Sequence, residues 1–253
     1  MSDKRIPIGL QIYSVRSVAA DDLFGVLESV AKMGYDGVEF AGYYGHSAAD
    51  IRKVLDDNGL VCCGTHTGMA ALSDENFDET VNIHKTLGTQ FVIIPWIPEE
   101  ERNTSEACVK TAGKLTELTE KLEAVGLRLG FHAHGGDMTP LDGGQSAWQL
   151  LGEHTPETFI MQYDTANGMG GGADPVEPIR MFPGRALSTH LKEYKDGHGK
   201  AVVGEGDVPW TAVFEACETV GGTQWYVVEH EQESGDVMDA VARCLANLKA
   251  MGK

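Results

Sequence analysis

Basic residues are scarce in this chain: 20 Lys and Arg stand against 38 Asp and Glu, a formal net charge of -18. Such a surface repels a phosphate backbone and no Lys/Arg run offsets it, so DNA or RNA binding is disfavoured. Long apolar runs are missing as well. No stretch approaches the ~20 apolar residues that cross a bilayer, and none near the N-terminus is long enough for export, so no membrane partner is expected. Cysteine is sparse and scattered: Cys62, Cys63, Cys108, Cys217 and Cys244 are odd in number and contain no C-x-x-C pair. This argues against a disulfide framework and for reduced thiols in a cytoplasm. Cys62 and Cys63 lie in an apolar run and read as core packing. The dinucleotide fingerprint G-x-G-x-x-G is absent after the first strand, where Gly9 stands alone. A P-loop is excluded too, because Gly168-Met169-Gly170-Gly171-Gly172 has no following lysine of that motif. That segment reads as a mobile lid or a plain connector.

What is present is a repeated grammar of amphipathic helix, glycine, strand. Expected strands cover 6–13, 35–40, 60–66, 89–95, 127–132, 158–164, 186–192 and 224–229. Expected helices between them begin near 21–33, 47–58, 74–87, 101–125 and 144–153, and end near 210–220 and 235–249. Gly34, Gly59, Gly88 and Gly126 follow four of the helices, where a left-handed cap is needed. Eight strands alternating with about eight helices, without a composition break over 1–253, imply one parallel (β/α)8 TIM barrel. The length and the 42% hydrophobic fraction suit one soluble enzyme domain.

In such a barrel the active site lies at the C-terminal ends of the strands. Those ends carry Glu39, His66, Trp96, His132 with His134, Asp164, His190 with Lys192, and Glu229 with Glu231. Along a strand His132 and His134 face the same way. His132, Asp164, His190 and Glu229 come from strands five to eight, and two imidazoles with two carboxylates suit Mn²⁺, Co²⁺ or Zn²⁺. Each has a bland alternative: Asp164 as a turn cap, Glu229 as a partner of Lys192. His84 and His154 fall on helices and are expected to face solvent, whereas His46 and His198 lie in loops without a signal.

The ordered set IGLQIYSVR, GYDGVEFAG, GFHAH, YDTAN, HLKEYKD, GEGDVPW and VVEHE resembles the xylose-isomerase-like TIM barrel family of sugar and sugar-phosphate isomerases and epimerases. The resemblance covers nearly the whole chain. It implies a divalent metal (Mn, Co, Zn or Mg) held by one residue from each of strands five to eight, matching His132, Asp164, His190 and Glu229. Many epimerases of the family have glutamate where His132 stands, so a symmetric two-carboxylate proton exchange is not expected here, and His134 is an alternative ligand. It further implies proton abstraction next to the carbonyl of a sugar or keto-sugar, through a metal-stabilised enediolate. The H-x-H at strand five and H-x-K at strand seven are similar to inosose dehydratase members, which makes a dehydratase acting on a keto-sugar or cyclitol the alternative.

Glu229, His132 and Lys192 are the candidates for moving protons, Lys192 being equally readable as a partner of Glu193 or Glu231. Glu39, His66, His134, Asn167, Trp96 and Glu205 are the candidate substrate contacts, with a Glu39–His66 pair that only orders the barrel mouth left open. Trp210 reads as packing. The expected partner is a small sugar or cyclitol, not phosphorylated for want of a Lys/Arg cluster; a homo-oligomer is left open. Two other classes fit less well. Endonuclease IV has a related barrel but needs more His and acidic ligands than the 9 histidines and charge of -18 suggest. A catalytically silent sugar-binding barrel is opposed by metal-type residues at four strand ends.

Overall fold

The computed structural model describes residues 5–197, 200–231 and 235–253; His198 lies outside them. Its strands are β1 (Ile8–Gln11), β2 (Gly37–Phe40), β3 (Val61–His66), β4 (Phe91–Ile94), β5 (Arg128–His132), β6 (Ile160–Gln162), β7 (Ser188–Leu191) and β8 (Trp225–Val228). All pair in parallel, in the order β6-β5-β4-β3-β2-β1-β8-β7. The ring closes between β6 and β7 through a parallel bridge of Asp164 with His190 and the donation of His190 N–H to Tyr163 O at 2.8 Å. The barrel expected from the alternating pattern is the barrel observed.

The helices are α1 (Arg16–Met33), α2 (Ala48–Asn58), α3 (Phe77–Leu87), α4 (Ser105–Glu123), α5 (Ala147–Glu153), α6 (Thr165–Gly170), α7 (Glu177–Arg180), α8 (Trp210–Ala216) and α9 (Val237–Ala250). Their ends follow local chemistry. Ser47, Thr104 and Ser146 accept a backbone N–H of the first turn of α2, α4 and α5. Gly34, Gly59 and Gly88 take φ of +94°, +67° and +75° and close α1, α2 and α3. The expected start of the first helix near residue 21 falls on a break within α1. Asp22 leaves helical geometry there and its carboxylate accepts Gly25 N–H, starting the helix afresh. The 168–172 segment is no open lid. Its first residues belong to α6, Gly168 packs on Tyr163 and Gly171 on the Gly135 backbone, too close for any side chain.

Helices and strands meet in a main apolar layer, to which α9 contributes Val241, Cys244, Leu245 and Leu248. Each full-sized aliphatic side chain buried this way contributes about 1.5–3 kcal/mol. Inside the barrel the rule is different, because polar side chains occupy its mouth. A register shift between Val38 and Glu39 leaves Cys63 as the extra residue of β3, and bulges of this kind re-aim side chains. Here it sets Gly64 opposite Glu39, where a Cβ would stand 2.7 Å from Glu39 Oε1. Glycine at 64 is what lets the carboxylate lie inside the barrel.

Candidate metal centre and cleft

Glu39 is fully buried, and both of its oxygens are engaged. Gln11 Nε2 donates to Oε2 at 2.8 Å, Gln162 Nε2 donates to Oε1 at 2.9 Å, and His190 Nε2 donates to Oε2 at 2.7 Å. His66 Nε2 stands 3.1 Å from the same Oε2. Burial alone would raise the pKa of Glu39, but His66 and His190 outweigh it and hold the group well below the carboxylate range. With no exposure, this carboxylate is turned to its protein donors rather than to the cleft. Of the two expectations for Glu39, this geometry fits the buried group that orders the barrel mouth better than the substrate contact. His66 differs: it lines the cleft above.

The other nitrogen of His190 points at the carboxylates. Nδ1 lies 2.8 Å from Glu229 Oε2 and 3.9 Å from Asp164 Oδ2. Burial lowers the pKa of His190, yet Glu39 and Glu229 reverse this and raise it to about 10. Asp164 Oδ1 caps α6 by accepting Asn167 N–H at 2.7 Å, while its Oδ2 is buried without a hydrogen bond. Burial raises the Asp164 pKa to about 6, against the pull of Lys192. Glu229 resists the same burial through Lys192 and His190 and stays well below its usual value.

His132 Nδ1 sits 3.0 Å from Gln162 Oε1, and its Nε2 3.4 Å from Asn167 Nδ2. Burial drives its pKa well down, assisted by His190 and His66, so the ring is neutral. One ligand atom each from His132, Asp164, His190 and Glu229 fall within 4.8 Å of one another, all four residues being buried. His66 groups equally closely with His132 and His190, but each of these three rings has a nitrogen engaged with Gln162 or Glu39. The four-residue set fits a divalent ion on three counts. It supplies borderline nitrogen and hard oxygen donors, it holds a buried carboxylate oxygen, Asp164 Oδ2, without a hydrogen bond, and Glu39 accepts the far N–H of a ligating imidazole, as carboxylates behind metal sites do. His132, rather than His134, is the strand-five residue brought into this set.

Lys192 is almost wholly buried and bridges to Asn167 Oδ1 at 3.2 Å, Glu229 Oε1 at 3.2 Å and Glu231 Oε2 at 3.1 Å. Burial opposes its charge, but Asp164, Glu229 and Glu231 raise its pKa and keep it an ammonium. Glu193 is not its partner. That carboxylate accepts N–H groups of Tyr194, Gly204 and Val208 and the Trp210 indole, so Trp210 packs as expected. Above the cluster opens a cleft of about 400 Å³ lined by Tyr13, His66, Trp96, His132, His134 and Glu229. Tyr13 and Trp96, 41% and 54% exposed, are the exposed aromatics among the large apolar side chains of the described residues. His134 is half-buried, which pulls its pKa to about 4, and its backbone N–H is held by Asp137, itself paired to Arg102 at 2.5 Å. A larger hollow, about 770 Å³, opens at the opposite end of the barrel around Arg5, Tyr35 and Trp225, away from the clustered side chains.

Glu205 is corrected: it lies on the outer surface, paired with Arg243 at 2.5 Å. His84 is corrected too. It is buried, with Nε2 2.6 Å from Thr65 Oγ1 and Nδ1 2.7 Å from Thr80 O, while His154 is exposed as expected. Gln162 was missed, although a glutamine two residues before Asp164 in an apolar strand faces the same side. Tyr13 was missed for lack of any periodic signal.

The model of the xylose isomerase-like TIM barrel family matches residues 27–250. Curated relatives are the rhizopine catabolism protein MocC of Rhizobium meliloti, 24% identical over 82% of this chain and 74% of its own, and inosose dehydratase of Geobacillus kaustophilus, 21% identical over 82% and 80%. Among solved structures, a sugar phosphate isomerase/epimerase of Parabacteroides distasonis superposes with TM-score 0.85 at 22% identity, covering 99% of this chain and 96% of that one. The IolI protein with a bound zinc atom superposes with TM-score 0.74 at 16% identity, covering 96% and 97%.

Proposed function

The chain belongs to the xylose isomerase-like TIM barrel family, and from that premise we propose that it is a divalent-metal-dependent isomerase or epimerase of a sugar or keto-sugar. The observation that carries this reading is the convergence of buried His132, Asp164, His190 and Glu229 from four consecutive strands, with Asp164 Oδ2 left without a hydrogen bond and His190 Nδ1 turned in against Glu229 at 2.8 Å. When bound, a divalent ion supplies positive charge to an oxygen beside the reacting C–H. The residues of the chain do the rest. Glu229, kept deprotonated at neutral pH, takes the proton from carbon as general base. Lys192, 3.2 Å from Glu229, holds that charge in place and returns or supplies protons. His66, His134 and Asn167 contact hydroxyls of the substrate, and Trp96 with Tyr13 covers its apolar ring face at the mouth of the cleft. The zinc in the IolI neighbour supports the metal.

A second reading, a dehydratase on a keto-sugar or cyclitol, is favoured by one feature. Strand five ends in an imidazole, so base and ammonium both stand at the Glu229–Lys192 side. There Glu229 removes the proton and Lys192 protonates the departing hydroxyl to water. The similarity to inosose dehydratase supports this. The test is a panel of keto-sugars and inososes in deuterium oxide with Zn²⁺- or Co²⁺-loaded protein. Exchange of a carbon-bound proton without loss of water supports the isomerase, and formation of an unsaturated or deoxy product supports the dehydratase. Neither reaction with any substrate, by protein that holds its metal, overturns both.

A further inference from the structure

Gln162 lies below the cluster, fully buried, and its amide can point only one way. Nε2 faces Glu39 Oε1 at 2.9 Å and Ser188 Oγ at 2.9 Å. Turning the amide over would set its oxygen against a carboxylate oxygen. With Nε2 facing Glu39, Oε1 faces His132 Nδ1 and His66 Nε2, each at 3.0 Å. An amide oxygen only accepts, so the proton of His132 sits on Nδ1 and Nε2 keeps its lone pair.

A second amide reaches the same ring independently. Asn167 Oδ1 accepts the Lys192 ammonium at 3.2 Å, and Asn167 Nδ2 donates to Ala133 O at 3.0 Å. That orientation turns an N–H₂ group, 3.4 Å away, toward His132 Nε2. A donor faces Nε2 and an acceptor faces Nδ1. Both amides demand the same tautomer.

We propose that Gln162, with Asn167, is a positioning residue that locks His132 in its Nδ1–H tautomer, so that the folded chain presents a ready nitrogen ligand and selects zinc or cobalt over magnesium. His190 complements it from the other side, donating Nε2–H to Glu39 and turning Nδ1 inward. Two imidazole nitrogens beside two carboxylates make a site that holds Co²⁺ and Zn²⁺ more tightly than Mn²⁺, whereas Mg²⁺ prefers oxygen ligands. The inference rests on the metal reading above for its consequence, but the tautomer itself can be measured without any metal.

The experiment is two-bond ¹⁵N–¹H correlation spectroscopy of metal-free, ¹⁵N-labelled protein near pH 7.5, with His132 assigned by its loss in His132→Gln. A single Nδ1–H form at His132 is expected; an Nε2–H form, or rapid exchange between the two, overturns the proposal. In Gln162→Met the lock should loosen, seen as mixed tautomers. Zn²⁺ affinity, read by competition with a chromophoric chelator, should fall about 10–100-fold, the usual cost of removing a partner behind a ligand. Unchanged affinity in a folded Gln162→Met overturns the lock. Should that variant not fold, the wild-type spectrum still decides. Wild-type protein that binds no metal at all defeats the proposed function instead, and leaves the spectrum to judge the tautomer.

Discussion

Asp164 and His190 share two relationships: their side chains approach to 3.9 Å, and their backbones form the bridge where β6 meets β7. The seam of the barrel and the proposed metal centre are one place. An ion that ties both side chains should therefore strengthen the seam more than the rest of the sheet. At 100-fold excess over its dissociation constant it should add about 2.7 kcal/mol of stability. Hydrogen exchange should slow most at the amides of His190 and Glu229, which bond to Tyr163 and Leu191 across the closing strands. Equal slowing at the β2–β3 amides would contradict this.

Glu39→Gln keeps the shape of the buried hub and removes its charge. His190 then loses the carboxylate behind Nε2, and His66 loses its charged neighbour. Removing one member of a buried charged pair costs about 3–5 kcal/mol, and metal affinity should fall about 10–100-fold. Denaturant titration and chelator competition read the two effects separately. A stable variant with intact affinity would show that Glu39 does not support His190.

His190 makes the metal-free protein sensitive to alkali. Its folded pKa is raised from 6.5 to about 10, so the stability it contributes is complete below the unfolded value and is lost as pH rises through the folded one. The Tm of chelator-treated protein should fall between pH 6.5 and about 10, and His190→Gln should flatten that slope. Metal must also displace the proton on His190 Nδ1. Calorimetry at pH 7.5 in buffers of different ionisation heat should register about one proton released per ion from this group. No release would mean that His190 is not a ligand.

The two acidic residues around the turn after β7 should behave in opposite ways. Glu205→Ala, on the surface with Arg243, should leave Tm and metal content unchanged. Glu193→Gln sets an amide N–H₂ among four N–H donors and should cost about 1–3 kcal/mol or more for the donors it leaves unpaired. Thermal melts of both variants, compared with wild type, check this contrast.

These residues also mark what the sequence made legible. The barrel was readable because helix periodicity and Gly34, Gly59 and Gly88 repeat at the right intervals. The four clustered residues were readable because strand ends are where a parallel barrel collects polar side chains. Hidden from a one-dimensional reading was how the mouth is wired. Glu39 looked like a substrate contact until the bulge at Cys63 and the space left by Gly64 turned it inward. His84 looked exposed, because helix position alone does not reveal that Thr65 and Thr80 wait on the barrel side. Glu205 looked like a substrate contact and Glu193 like a partner of Lys192, since the fold of the turn, rather than spacing, decides which carboxylate the backbone encloses.

The most direct measurement is elemental analysis of untagged protein purified without chelator, beside a His190→Ala variant. About one zinc, cobalt or manganese per chain in the wild type, lost in the variant, is the expected result. No metal in either protein, even after adding Zn²⁺, Co²⁺ or Mn²⁺, would contradict the metal centre and leave a sugar-binding barrel without this chemistry.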